Sequence, residues 1–259
     1  MNIFDTHAHF SEDPQKTARS LERAFAAGVT RLMAVGGSAE LNRAAVMAAD
    51  IAKRSSHSPE VCLALGLDRD QISSACADCP RYDFSTVIDN RGRISAIGEI
   101  GLDFHYSPQT AQAQCDLFAA QLELAEELDL PVVIHTRDAD DATIGVLDET
   151  DFHNGIIHCY TGSVPFERKL LDRGLMISIS GIVTFRAAEN VRDAAKFAPD
   201  DRLLIETDSP FLAPVPMRGN ENEPSFITHT LAFLAELRKT APEALAILTT
   251  DNAKRILKC

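Results

Sequence analysis

Two histidines close to the start of the chain, His7 and His9, have the spacing of metal ligands and follow a short apolar run. Side chains two residues apart on a β-strand point to the same face, so these imidazoles would lie one above the other. Such a pair can bind one metal ion, provided that further ligands come from elsewhere. The pair alone is weak evidence, because two histidines on a polar strand face are often simply solvated.

Further histidines and acidic residues end four later apolar runs of the chain. In a barrel of parallel strands, all carboxyl-terminal strand ends meet at one mouth, where active sites lie. Ionisable side chains crowded into one mouth need a cation to be tolerated, so their shared position predicts a metal site. The six predicted ligands are His7, His9, Glu99, His135, His158 and Asp208.

Six ligands exceed the three protein ligands that a catalytic zinc ion normally takes. They suit two divalent ions about 3.5–4 Å apart, bridged by a carboxylate and a water. Glu99 is the predicted bridge, because it lies on a middle strand between the opening histidines and the two later ones. Asp208 is assigned to the site of the opening histidines. Imidazoles favour zinc or another transition metal, whereas carboxylates and water also permit manganese or magnesium, so the identity of the metal stays open.

The elements that must hold these ligands alternate regularly along the chain. Eight apolar runs predict strands, and helical patterns cover residues 109–128, 224–237 and 242–257. This alternation over 259 residues predicts an α/β fold, a TIM-like (β/α)8 barrel forming a single domain over residues 1–259. A doubly wound sheet is the alternative, but no Gly-x-Gly-x-x-Gly follows an early strand. The predicted strands are 3–9, 29–36, 61–66, 94–99, 131–135, 155–158, 175–180 and 203–208.

The composition limits the possible partners and locations. A net charge of −13 argues against a broad basic surface that coats duplex DNA, although a local cationic pocket or a bound metal could still accept phosphates. No apolar stretch approaches the ~20 residues that cross a bilayer, so no membrane association is expected. No charged-then-apolar leader precedes the first strand, which predicts a cytoplasmic protein. Nothing in the sequence indicates an obligate protein partner.

The six cysteines, without an export signal, are interpreted as reduced thiols. Cys76 and Cys79 have the C-x-x-C spacing of a zinc hook or a redox pair. A structural zinc needs four ligands, and even the nearby Cys62 supplies only a third. We therefore predict surface thiols in a loop for this pair.

Several longer motifs surround the predicted ligands. They are Asp-Thr-His-Ala-His-Phe at 5–10, Ile-Gly-Glu-Ile-Gly-Leu-Asp-Phe at 97–104, Pro-Val-Val-Ile-His-Thr-Arg at 131–137, His-Cys-Tyr-Thr-Gly at 158–162, Glu-Thr-Asp-Ser-Pro-Phe-Leu at 206–212, Arg-Gly at 218–219 and Asn-Glu-Pro at 222–224. Together they resemble the TatD-type metal-dependent deoxyribonucleases, a branch of the amidohydrolase-like metallo-barrels. The resemblance implies the same six ligands and hydrolysis of phosphodiesters, typically removal of nucleotides from the 3′ end of DNA.

The chain departs from that family pattern in two places. Residues 66–69 are Gly-Leu-Asp-Arg, where such proteins commonly carry a Gly-x-His-Pro turn. The loop that begins at Arg218 lacks an extra basic residue often found in similar loops. If the histidine of that turn helps to hold substrate, its absence leaves the choice of substrate open. A less cationic mouth should hold long nucleic acid less tightly.

The reaction we hypothesise is hydrolysis of a phosphate ester by a water that two ions activate, with Glu99 and Asp208 as the catalytic carboxylates. Asp208 could orient this water or take its proton.

Three further residues are candidates for contacts with the substrate. Arg137 and Arg218 could bind phosphate or form ordinary surface salt bridges. Tyr160 could stack on a base or pack within the rim. Asp103 and His105 are candidate partners that orient the ligands.

Two other classes of function stay open. One is a different hydrolase with the same metal pair: an amidase, lactonase, phosphotriesterase or aminoacyl-ester hydrolase. Several related barrels bridge their metals with a modified lysine, and Glu99 in that role favours the nuclease branch. The other is a non-catalytic metal or nucleic-acid binding module.

Overall fold

Eight parallel β-strands form one sheet in which each strand pairs with the next along the chain. The computed structural model describes residues 1–72 and 82–259. The strands are β1 (Ile3–Ala8), β2 (Val29–Gly37), β3 (Glu60–Leu67), β4 (Ala96–Asp103), β5 (Val132–Arg137), β6 (Gly155–Ile157), β7 (Met176–Ile179) and β8 (Leu203–Ile205). The sheet closes on itself, because Ala8 pairs with Ser209 and the Thr6 hydroxyl donates to the Ile205 carbonyl at 3.0 Å. The predicted (β/α)8 barrel is therefore confirmed.

Helices follow the strands and cover the barrel. In the described residues they are α1 (Pro14–Ala26), α2 (Ala39–Ala52), α3 (Ser85–Asp89), α4 (Ala111–Glu127), α5 (Asp140–Glu149), α6 (Val164–Asp172), α7 (Glu189–Phe197), α8 (Ile227–Arg238) and α9 (Pro242–Leu257). Helix α1 begins where local chemistry favours it: Asp13 accepts hydrogen bonds from the backbone of Gln15 and Lys16, and Pro14 takes the first helical position. Among residues 1–72 and 82–259, no helix has both the length and the apolar character to cross a membrane.

The interior of the barrel is filled with apolar side chains below the mouth. Every strand contributes to one buried cluster, and only the inside of a closed barrel lets all eight strands do so. Two residues of α9, Ala253 and Leu257, pack against the same cluster. The strand residues are Phe4, Met33, Val35, Cys62, Ala64, Ala96, Val133, Ile156, Met176 and Leu204. Because this end is closed by packing, polar chemistry is confined to the carboxyl-terminal mouth.

The interpretation of all six cysteines as reduced thiols is wrong for two of them. Cys62 of β3 and the final residue, Cys259, form a disulfide. Helix α9 returns the end of the chain to β3, and spacing along the sequence cannot reveal this proximity between residues 197 positions apart. Cys76 and Cys79 lie outside the described residues, so their loop position stays a prediction.

Strand β4 approaches β5 closely at Gly101. This residue has a φ of +122°, which L side chains rarely adopt, and a Cβ here would lie 2.1 Å from the carbonyl oxygen of His135. Glycine therefore lets β4 lie against the part of β5 that carries a predicted ligand.

We predict that Gly101→Ala lowers the free energy of unfolding by about 2 kcal/mol or more, because it adds backbone strain to a steric overlap. Gly145→Ala is the matched control, since a Cβ there meets no atom within 4 Å. Alanine inside α5 should leave stability unchanged or raise it by about 0.5–1 kcal/mol. Urea denaturation measures both variants, and equal stabilities would contradict the close approach of the two strands.

Candidate active site

Glu99 lies at the centre of the mouth. It was predicted to end its strand, but β4 continues to Asp103. The register between β4 and β5 shifts between Gly98 and Ile100, which leaves Glu99 as an extra residue. Such a β-bulge turns a side chain out of the regular alternation, and bulges are common beside active sites. The bulge explains how a residue within a strand directs its carboxylate into the mouth.

One carboxylate oxygen of Glu99, Oε2, faces the two opening histidines. It lies 3.6 Å from Nε2 of His7 and 3.4 Å from Nε2 of His9, and these nitrogens are 3.1 Å apart. Asp208 Oδ1 lies 4.0 and 3.8 Å from the same two nitrogens. We call His7, His9 and Asp208 the first group; all three are buried.

The other carboxylate oxygen, Oε1, faces the two later histidines. It lies 3.3 Å from Nδ1 of His135 and 3.6 Å from Nε2 of His158. These nitrogens are 3.2 Å apart, and we call the two histidines the second group. The structure thus brings together all six side chains that were predicted as ligands, with Glu99 between the two groups.

The contacts behind three of the histidines, His9, His135 and His158, indicate which of their ring nitrogens could bind a metal. In three of the rings, the nitrogen that faces away from the centre contacts an acceptor and can donate to it. The inner nitrogens of each pair lie 3.1 and 3.2 Å apart, and a cation bound between them would take their lone pairs once the rings are neutral. Two ligands of a tetrahedral zinc ion, each at about 2.0–2.1 Å, lie about 3.3 Å apart, so both groups fit a divalent metal. The acceptors are the Val35 carbonyl for His9 at 2.9 Å, Asp103 Oδ2 for His135 at 3.2 Å and Glu206 Oε1 for His158 at 3.3 Å.

The electrostatics of the centre also suit a cation. Burial lowers the pKa of His7 to about 3, so this imidazole is neutral at pH 7 and its lone pair is available. Burial raises the pKa of Asp208 to about 7. Burial opposes the ionisation of Glu99, but the charge of His158 and hydrogen bonds with the surrounding histidines lower its pKa well below the usual value. A bound cation would favour the ionised form of both carboxylates.

A buried carboxylate, Asp5, joins β1 to the segment after β8. It accepts hydrogen bonds from the backbone N–H and the hydroxyl of Thr207, at 2.9 and 2.6 Å. The N–H of Asp208 donates to the His7 carbonyl at 2.9 Å, and the Asn222 amide donates to the Thr207 carbonyl at 2.9 Å. These bonds hold Asp208 three residues beyond the end of β8, with a left-handed φ of 57° that aspartate tolerates better than most residues.

The two arginines predicted to contact phosphate pack on aromatic rings. Arg137 is half-buried, with its guanidinium carbon 4.8 Å from the centre of the Tyr106 ring. Arg218 is exposed, and its guanidinium carbon lies 4.0 Å from the centre of the Phe185 ring. Within the described ranges neither arginine forms a salt bridge, so that alternative is not observed there. Their contact with phosphate stays a prediction.

Of the two alternatives for Tyr160, the structure agrees with packing. This side chain is 2% exposed and its hydroxyl donates to the Ser163 carbonyl at 2.6 Å, so the ring is not presented to a base. Phe211 is exposed instead, at 59%, with its ring centre 6.3 Å from that of His9. Phe211 was not among the residues predicted to contact substrate. Its position three residues after the predicted ligand Asp208 could have indicated it.

Two other contacts were not predicted from the sequence. Arg69 Nη1 donates to Glu99 Oε1 at 2.5 Å, and Glu206 supports His158. Asp103 contacts the ring of His135, a predicted ligand, from behind, so its orienting role stays a prediction that this contact supports. His105 instead pairs with Asp138 at the surface.

Comparison with known proteins supports one family across the chain. A family model described as TatD related DNase matches residues 4–258. The uncharacterized metal-dependent hydrolase YabD of Bacillus subtilis is 35% identical over 264 residues, which cover 99% of each chain. The 3'-5' ssDNA/RNA exonuclease TatD of Salmonella typhimurium is 33% identical over 260 residues, covering 98% of this chain and 96% of that protein. The uncharacterized metal-dependent hydrolase YcfH of Escherichia coli is 47% identical over 165 residues, and the match spans 62% of its length.

Solved structures agree with this assignment. The TatD homologue YjjV of Escherichia coli superposes with a TM-score of 0.85 at 27% identity, covering 99% of this chain and 98% of that one. An organophosphorus hydrolase mutant from Deinococcus radiodurans has a TM-score of 0.71 at 14% identity, covering 98% and 92%, and shares the fold. The chain belongs to the TatD-related DNase family of metal-dependent hydrolases.

Proposed function

We propose that the chain is a two-metal nuclease that hydrolyses phosphodiester bonds of single-stranded DNA from the 3′ end. The observation that carries the proposal is the position of Glu99, which presents one carboxylate oxygen to each of two histidine pairs. Bound divalent ions would supply an activated water and neutralise the charge of the phosphate. The first group would hold one ion. The second group would hold the other, with Glu99 shared between the two groups. Zinc, manganese or magnesium would suit these donors.

Asp208 is the residue we assign to handling the proton of the attacking water. It is held at the mouth by backbone hydrogen bonds, with a carboxylate oxygen about 4 Å from the nitrogens of the first group. From there it can orient a water and accept its proton.

The surroundings of the centre are compatible with a nucleotide. A cavity of about 350 Å³ adjoins the first group and is lined by His9, Lys16 and Phe211, among others. The exposed Phe211 ring could stack on a base, since every base offers a π-face. Arg137 and Arg218 could contact phosphates, for which the guanidinium is well suited.

The name of one relative supports a nucleic-acid substrate, in addition to the geometry of the site. The Salmonella typhimurium relative is named as an exonuclease on single-stranded DNA and RNA, and other relatives are named only as metal-dependent hydrolases. A nuclease on single strands also suits the net charge of −13, because a flexible strand end needs only a local site rather than a broad basic surface.

We predict that metal-free protein, reloaded with MnCl₂, shortens 5′-labelled single-stranded DNA progressively and that EDTA abolishes this. The same preparations are assayed on nitrophenyl esters, a phosphotriester and amide substrates. Cleavage of an ester or amide without loss of DNA would favour another hydrolase of the superfamily. Failure to turn over any substrate would favour a binding module.

We predict that Asp208→Asn lowers kcat/KM on DNA by about 10²–10⁴-fold, the range that proton transfer typically contributes. The fold should be retained, as judged by circular dichroism. Asp251→Asn, which changes an exposed carboxylate on α9, is the control and should keep full activity. Unchanged turnover in Asp208→Asn would refute the assigned role.

We predict that Phe211→Ala raises KM for single-stranded DNA about tenfold, as loss of one stacking contact would, with kcat changed less than about threefold. Phe211→Trp should retain the affinity. Phe25→Ala, at another exposed phenylalanine on α1, should leave KM unchanged. Steady-state kinetics on one oligonucleotide measure all three variants, and the same KM for Phe211→Ala and Phe25→Ala would contradict stacking.

A further inference from the structure

Arg69 forms an ion pair with the shared carboxylate of the centre. Its Nη1 donates to Glu99 Oε1 at 2.5 Å, and its side chain is 20% exposed. This is the same oxygen that faces His135 and His158. A guanidinium therefore contacts the carboxylate oxygen that the second group would share with a metal ion.

The turn after β3 holds Arg69 in this position. The N–H of Asp68 donates to the Gly37 carbonyl at 2.6 Å. The carboxylate of Asp68, which is buried, accepts from the N–H of Asp70 at 2.9 Å and from the side chain of Gln71 at 3.2 Å. The backbone of Arg69 is thus anchored, and its side chain reaches Glu99, 30 residues further along the chain. Arg69 also belongs to the segment 66–69 where the sequence departs from the Gly-x-His-Pro turn.

The two carboxylate oxygens of Glu99 differ in whether they form an ion pair with an arginine. Oε2 faces His7 and His9, and in the part of the chain that the structure describes no lysine or arginine forms an ion pair with Oε2 or with Asp208. Oε1 alone carries an arginine, which stays charged at every working pH. The first group therefore offers a carboxylate oxygen without a competing cation, and the second group does not.

A divalent ion at the second group would meet this guanidinium. An ion bound to Oε1 would lie within a few ångströms of Nη1, because both would contact one oxygen atom. Two cations this close in a desolvated mouth repel strongly, so the ion pair must open before the second group can bind its ion. No such step is needed at the first group.

We infer that Arg69 acts as an internal cation that competes for Glu99, so the mouth binds one divalent ion tightly at the first group and a second one weakly at the second group. The inference rests on the metal site of the proposed function and goes beyond it. Occupancy of the second group would depend on metal concentration, and Arg69 sets that dependence.

The test is calorimetric titration of metal-free protein with MnCl₂, followed by counting of bound ions after dialysis. For the wild type we expect two dissociation constants at least about tenfold apart. Arg69→Met keeps the bulk of the side chain and removes the charge. It should tighten the weaker constant by about tenfold or more, equivalent to about 1.4 kcal/mol, and change the tighter one by less than about threefold.

Three other variants separate charge from shape and from general effects. Arg69→Lys keeps the charge and should leave the weaker constant within about threefold of the wild type. Arg69→Gln is a second neutral variant, which keeps the test decisive if Arg69→Met does not fold. Arg93→Met removes an ion pair of the same length, with Asp50 at 2.5 Å, at the end of the barrel opposite the mouth, and should change neither constant.

Each outcome decides the matter. An unchanged weaker constant in Arg69→Met and Arg69→Gln would overturn this inference, while binding of two ions would still support the proposed function. Equal tightening in Arg69→Lys and Arg69→Met would also overturn it, because charge would not be the cause. Absence of bound ions in every variant would overturn both the inference and the metal site.

Discussion

The mouth of this barrel depends on one carboxylate shared by two pairs of imidazoles. Glu99 is buried, and each of its oxygens lies 3.3–3.6 Å from the nitrogens of one pair. Burying so many polar groups is unfavourable unless each has a partner of the right charge. The bulge in β4 and the missing side chain at Gly101 are the local features that let the carboxylate and its neighbours approach one another.

Hydrogen-bond acceptors behind three of the imidazoles orient these rings towards that carboxylate. Asp103 and Glu206 lie behind the second group, and a backbone carbonyl lies behind His9. Each fixes the orientation of a ring and leaves its inner nitrogen as a potential ligand. The chemistry at the mouth therefore depends on residues that would not contact a substrate.

The barrel and the six clustered side chains could be predicted from the sequence because both follow from local periodicity. Apolar runs mark strands, and parallel strands bring their ends to one mouth, so His7 and Asp208 could be placed together. Periodicity does not reveal how far a strand continues or where it bulges. For this reason the sequence predicted that the strand ends at Glu99, whereas β4 continues to Asp103. It is also silent on contacts through space: the Arg69–Glu99 ion pair, the Cys62–Cys259 disulfide and the burial of Tyr160 arise from the folded arrangement alone.

The first strand and the segment after β8 are joined by hydrogen bonds from Thr207 to Asp5 and from Asp208 to His7. These two parts of the chain are made at different times. A ribosome releases the opening histidines before the segment after β8. The first group is then incomplete on every nascent chain until the last strand closes against the first. The complete first group would accordingly be available to a metal only after Asp208 has been made, and a chain stalled before Asp208 would lack one of the three side chains.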